Sequence, residues 1–211
     1  MTALVFALQP EQVCIAMDTL VIGADDRMPM SFQRKFLPIS DSDLVVAGTG
    51  HADFINGWFH NLQSNFRGAT IDDIDKEAPS VFRALASAIG GLSGLTATLY
   101  HFGYSAREQQ YAGYAYRSES GFRSHRLEYG LGLKPVVQVT PNDDIRFPEF
   151  LIDIILNQQR QDWIRPLAER VGIGGEIEFV VMSGRTIRVE TVHRFSSHEA
   201  EAIHIERRAK A

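Results

Sequence analysis

The amino-acid sequence predicts an α+β fold, a four-layer αββα sandwich of two antiparallel sheets between helical layers. Three observations lead there. Strand-like runs come in groups, in the order strands, two helices, strands, helix, hairpin, whereas a doubly wound parallel sheet needs single strands and helices in alternation. The early runs, such as Ala3–Leu8 (ALVFAL), are apolar at nearly every position, so both faces of those strands must be covered. No internal repeat or low-complexity linker divides the 211 residues, which therefore read as one domain over 1–211 with a polar tail from about residue 196.

Taken in order, Ala3–Leu8 and Val13–Met17 are strands joined at Gln9-Pro10-Glu11. Asp25-Asp26-Arg27 reads as a loop, Lys35–Ile39 as a short strand, and Leu44–Ala47 as a strand ending at Gly48-Thr49-Gly50. Helical spacing follows. Phe54, Ile55, Trp58, Phe59 and Leu62 recur at steps of three and four within Ala52–Phe66. Ile74, Val81, Phe82, Leu85 and Ile89 do the same in Ile71–Ile89, where Pro79 marks a start or a bend. Gly90-Gly91 ends that helix. Leu95–Phe102, Gln109–Tyr116 and Phe122–Glu128 are then strands, Pro141–Asp144 is a loop, and Phe147–Val171 holds one or two helices interrupted near Pro166. Glu176–Met182 and Thr186–Val192 close the chain as a hairpin turning at Ser183-Gly184-Arg185.

Composition narrows the function classes. A formal charge of −5, with no basic stretch interleaved with aromatics, argues against nucleic acid as a partner. The lone Cys14 cannot form an internal disulfide and reads as inert core. The apolar opening stretch is too short for a signal peptide or a membrane span, so the expected location is the cytoplasm, without membrane attachment.

Several residues together resemble the amino half of a proteasome β-type subunit, including the bacterial two-ring threonine peptidase. These are Thr2, Asp18 in AMDT, Lys35 in RKFLPIS, and VVAGTGHAD leading into a helix. The resemblance covers Thr2 to about Leu62. It implies the amino-terminal nucleophile (Ntn) hydrolase fold, an acyl-enzyme mechanism on Thr2 after removal of Met1, and peptide or amide substrates. It also implies assembly into a homo-oligomeric ring, an ATP-driven unfoldase as partner, and no cofactor or metal. Asp18 and Lys35 would tune the nucleophile, and the backbone N–H of Gly48 would be the oxyanion donor. Two motifs depart from the family. The Ser that supports the amine would be Leu131, and the Asp and Ser of the segment before the last hairpin would be Arg170 and Ile173. Those losses, and a retained Met1, favour as an alternative a noncatalytic ring or assembly subunit of the same fold; an amidase for small molecules is a further one, because fold does not fix substrate.

The residue types make chemical sense. A threonine hydroxyl needs a base, and an amino-terminal residue carries its own in an α-amine that titrates near about 8. Lys35 would lower that value by charge repulsion, and Asp18 would hold Lys35 in place. Taken singly, Asp18 reads as a turn cap, Lys35 as a surface cation, and Gly48 and Gly50 as a strand terminus. His51 and Asp53 have no second ligand pair at metal-site spacing and read as exposed or capping residues. His193, His198 and His204 read as surface or tail residues. Gly172-x-Gly174-Gly175 precedes a strand, the wrong context for a dinucleotide loop.

Overall fold

A computed structural model describes residues 2–23, 25–91, 93–139 and 145–210. The loop expected at 141–144 lies outside the described residues, as does Met1. β1 (Leu4–Leu8) and β2 (Gln12–Asp18) form a hairpin, with Leu4 opposite Met17 and Leu8 opposite Val13. Its uniform apolarity has the expected cause, because neighbouring residues enter different layers. Leu4, Phe6 and Leu8 face the second sheet, whereas Ala3, Val5 and Ala7 face a helix. Two five-stranded sheets stack, both antiparallel. The second is built from β5 (Phe36–Ile39), β6 (Leu44–Gly50), β7 (Ala97–Ser105), β8 (Gln110–Arg117) and β9 (Ser124–Arg126) in that order. The first runs β10 (Gly130–Lys134), β1, β2, β11 (Glu176–Ser183), β12 (Thr186–Arg194).

α1 (Ala52–Asn65) and α2 (Ile71–Ala88) bury Phe54, Trp58, Leu62, Ile74 and Phe82 against the second sheet. The Thr70 hydroxyl caps α2 by accepting from the Asp73 N–H at 3.2 Å, and the helix continues through Pro79 without breaking. α3 (Glu149–Trp163) lays Leu151, Ile154 and Ile155 on the first sheet, completing the αββα layering. It stops before Pro166, and only a short 3₁₀ turn, Leu167–Glu169, follows. Among the described residues, no helix is long and apolar enough to cross a membrane.

Three features depart from the expected elements. β3 (Leu20–Ile22) and β4 (Pro29–Phe32) pair as a small separate hairpin around the expected 25–27 loop. β10 is a strand beside β1. The polar tail expected from about residue 196 is ordered as α4 (His198–Ala209), which packs on β4. Its one buried residue is Glu201, so no buried apolar stripe advertises it.

Inside the α1–α2 layer the Trp58 indole N–H donates to His101 Nε2 at 3.0 Å, leaving the His101 Nδ1 edge buried without a partner. Burial drops His101 from 6.5 to about 3. The unfolded chain therefore binds a proton that the folded chain refuses. The neutral ring's contribution is complete above about pH 6.5 and is lost as the pH falls toward about 3. Between pH 6 and 4 this one group is expected to remove about 1.4 kcal/mol of stability per pH unit. Urea unfolding of wild type and His101→Gln across that range checks it, the variant being expected to lack this part of the slope.

Candidate functional site

Asp18 ends β2 and Lys35 immediately precedes β5, so the pair forms where the two sheets come together. Lys35 Nζ donates to both carboxylate oxygens of Asp18, at 3.0 and 2.9 Å, and to the Leu20 carbonyl at 2.6 Å. Asp18 also accepts from the backbone N–H groups of Ala3 (2.8 Å) and Gly174 (3.3 Å). The carboxylate is 0% exposed and the lysine side chain 9%, so a charge is tolerated here only because its lone pairs are filled. Burial lifts the Asp18 carboxyl above the ordinary carboxylate range and holds the Lys35 ammonium below the ordinary lysine range. The opposite charge of each partner works against both shifts.

The bond to Ala3 matters most for Thr2. It fixes the backbone one residue beyond Thr2, which is itself buried and lines a cleft of about 620 Å³ together with Lys35, Gly48 and Gly50. Three of the four expected site residues, Thr2, Lys35 and Gly48, thus line one cleft, and Asp18 is bonded to Lys35 behind it. The cleft is bounded on one side by β3 and its following loop, and on the other by the amino end of α1 with Ile55 and Phe59. His51 and Asp53 also line it, His51 making no capping hydrogen bond through its side chain. Among the described residues no group of three or more His, Cys, Asp or Glu is placed to hold a metal ion. Cys14 sits elsewhere in the core, where burial raises its thiol to about 11.

Gly48 has two engagements that its sequence context hides. Its N–H donates to the Lys35 carbonyl at 3.1 Å, and a Cβ there would lie 2.5 Å from Ile55 Cγ2. The missing side chain therefore makes room for α1. Gly50, at φ 113°, ends β6 opposite Ala97, beyond the last β5 pairing, and also lines the cleft.

Leu131, Arg170 and Ile173, the residues of the two departing motifs, occupy three different settings. Leu131 pairs with Ala7 in β10, at the opposite end of β1 from Thr2, so it is not the residue beside the amine. Arg170 donates to the carbonyls of Trp163 and Arg165 and stacks over Trp163, and Ile173 is core. The polar groups that hold residues 171–176 come instead from residues the sequence reading passed over. Asp162 accepts from Val171 (2.6 Å) and Gly172 (2.9 Å), Glu201 from Gly175 (2.8 Å), and the Thr19 hydroxyl from Glu176 (2.8 Å). Apart from being acidic residues on polar-faced helices, Asp162 and Glu201 carried no sequence signal.

No protein-family model matches the sequence, and no curated protein matches it. A solved structure similar in fold is the Gly-1 mutant of Anbu from Hyphomicrobium sp. strain MC1. It is 14% identical at a TM-score of 0.62, covering 100% of this chain and 94% of that one. The fold is the proteasome-type Ntn fold.

Two substitutions test this geometry through stability alone. Lys35→Met leaves Asp18 buried without its cation and is expected to lower unfolding free energy by about 3–5 kcal/mol, with the Asp18→Asn/Lys35→Met double variant losing less than the sum of the singles. Gly48→Ala is expected to cost about 1–3 kcal/mol by overpacking, and Ile55→Ala in the same chain to cost less than its own single value. Urea unfolding of the single and double variants reads both.

Proposed function

We propose that this chain is a proteasome-type threonine amidohydrolase that cleaves peptide or related amide bonds through an acyl-enzyme on Thr2, after Met1 has been removed. The observation that carries this reading is the buried Asp18–Lys35 pair, tied through the Ala3 N–H to the residue next to a cleft-lining threonine.

In this mechanism the free α-amine of Thr2 takes the proton from its own Oγ1 as that oxygen bonds to the substrate carbonyl carbon. Lys35 disfavours the protonated amine and steadies the developing alkoxide, while Asp18 keeps Lys35 oriented. The amine then returns the proton to the departing nitrogen as the C–N bond breaks. Water, deprotonated by the same amine, frees Thr2 by hydrolysing the ester. The oxyanion donor in this reading is the Gly48 N–H, which must exchange the Lys35 carbonyl for the substrate carbonyl as the tetrahedral intermediate forms; Gly50, which lines the same cleft, is the second candidate. Residues 171–176 are anchored by Asp162, Asp18, Thr19 and Glu201, so the segment behind Asp18 is held without polar side chains at Arg170 and Ile173. Assembly into a homo-oligomeric ring and service to an ATP-driven unfoldase belong to the same reading.

Purified protein is expected to show an intact mass without Met1, label once with a threonine-directed epoxyketone, and hydrolyse peptide amides. Thr2→Ala is expected to abolish labelling and lower kcat by at least about 10³-fold. Turnover by protein that still carries Met1 overturns the mechanism. Ordered rings with neither labelling nor turnover point to the noncatalytic subunit instead.

A further inference from the structure

α4 lies far from Thr2 in sequence yet touches the site's framework at three points. The His198 ring stacks on Phe32 of β4 with centroids 4.5 Å apart and planes 8° from parallel. Arg208 pairs with Asp26 at 2.5 Å, and both line the cleft. Between them, buried Glu201 reaches the 171–176 segment and accepts the Gly175 N–H at 2.8 Å. The fit is close. A Cβ on Gly174 would stand 2.4 Å from Glu201 Oε1, so the glycine next in the chain is what lets the carboxylate approach.

The backbone then passes the constraint inward. Gly174 donates to Asp18 Oδ2, its carbonyl accepts from the Leu20 N–H at 3.2 Å, and Thr19 and Glu176 exchange two further bonds. Asp18, Leu20 and the Asp18–Lys35 pair are therefore held from behind by one short segment, anchored outward by Asp162 of α3 at residues 171 and 172 and by Glu201 of α4 at Gly175. An isolated carboxylate of this burial on a helix with no apolar stripe is not explained by packing.

We propose that Glu201 is a positioning residue for the Asp18–Lys35 pair, acting through the Gly175 and Gly174 backbone, so that α4 is part of the active-site framework. The kinetic consequence rests on the threonine-hydrolase reading; the structural consequence does not. Without Glu201 the Gly175 N–H is orphaned, the segment relaxes, and Asp18 loses the Gly174 donor. Because that donor lowers the Asp18 pKa, its loss moves the acid limb of activity to higher pH.

The test uses the full chain as wild type, Glu201→Ala, Glu201→Gln, Gly174→Ala and, as a control on the exposed face of α4, Glu199→Ala. Amide hydrogen exchange and epoxyketone labelling of Thr2 are measured across pH. In Glu201→Ala and Gly174→Ala, exchange of the 174–176 amides is expected to quicken at least about tenfold while β7 and β8 stay protected. Labelling is expected to slow by about tenfold or more with its acid limb shifted upward. Glu201→Gln, whose amide oxygen can still accept the Gly175 N–H, is expected to recover most of both, and Glu199→Ala to change neither. Wild-type exchange and labelling in Glu201→Ala overturn the proposal. So does exchange that quickens equally throughout both sheets, the mark of a merely structural role. If wild type itself never labels but the local exchange effect is present, the positioning role stands and the hydrolase reading falls.

Discussion

The buried Asp18 carboxylate is the constraint on which the rest of the site depends. It sits at the end of β2 with no exposure to solvent, and it is satisfied from three directions at once: by Ala3 at the start of β1, by Lys35 ahead of β5, and by Gly174 ahead of β11. A lone charge in that position would be far more costly than any single contact could offset, so the donors must arrive together. Their common arrival brings the amino terminus, the second sheet and the segment before the final hairpin to one point.

The sandwich supplies what the site needs without itself specifying chemistry. Leu4, Phe6, Val13, Ile15 and Met17 meet Phe36, Val45, Ala47 and Phe102 between the sheets, leaving the end of that interface as a cleft into which Thr2 looks. The similarity to Anbu at 14% identity is one of backbone architecture, since the same sandwich hosts different activities on different side chains. The functional reading therefore rests on Thr2, Asp18 and Lys35 in this chain and on the cleft they border.

Leu131, Arg170 and Ile173 stand where a resemblance to proteasome β-type subunits leads one to expect polar side chains, and their places in the fold explain how the chain does without them. Leu131 is at the wrong end of β1 to support an amine at Thr2. Around residues 171–176 the amides are taken by Asp162 and Glu201, side chains from α3 and α4, in place of polar residues within the segment itself. The hydrogen-bonding demand of a tight, glycine-rich segment is set by its backbone, and any carboxylate brought to it can meet that demand.

By itself the sequence determined the layering, because apolar runs without alternation require two covered faces, and steps of three and four mark α1, α2 and α3 wherever an apolar stripe exists. It also carried Thr2, Asp18 and Lys35 in order, Thr2 ahead of β1, Asp18 at the end of β2 and Lys35 just ahead of β5. Only the tertiary structure decided that Gly48 serves Lys35 and Ile55, that β10 lies beside β1, and that the polar stretch after residue 196 is a helix held by Glu201. The physical reason is common to all three: each depends on a partner brought close by folding, and neither a strand-edge amide nor a buried carboxylate leaves a periodic mark in the chain that carries it.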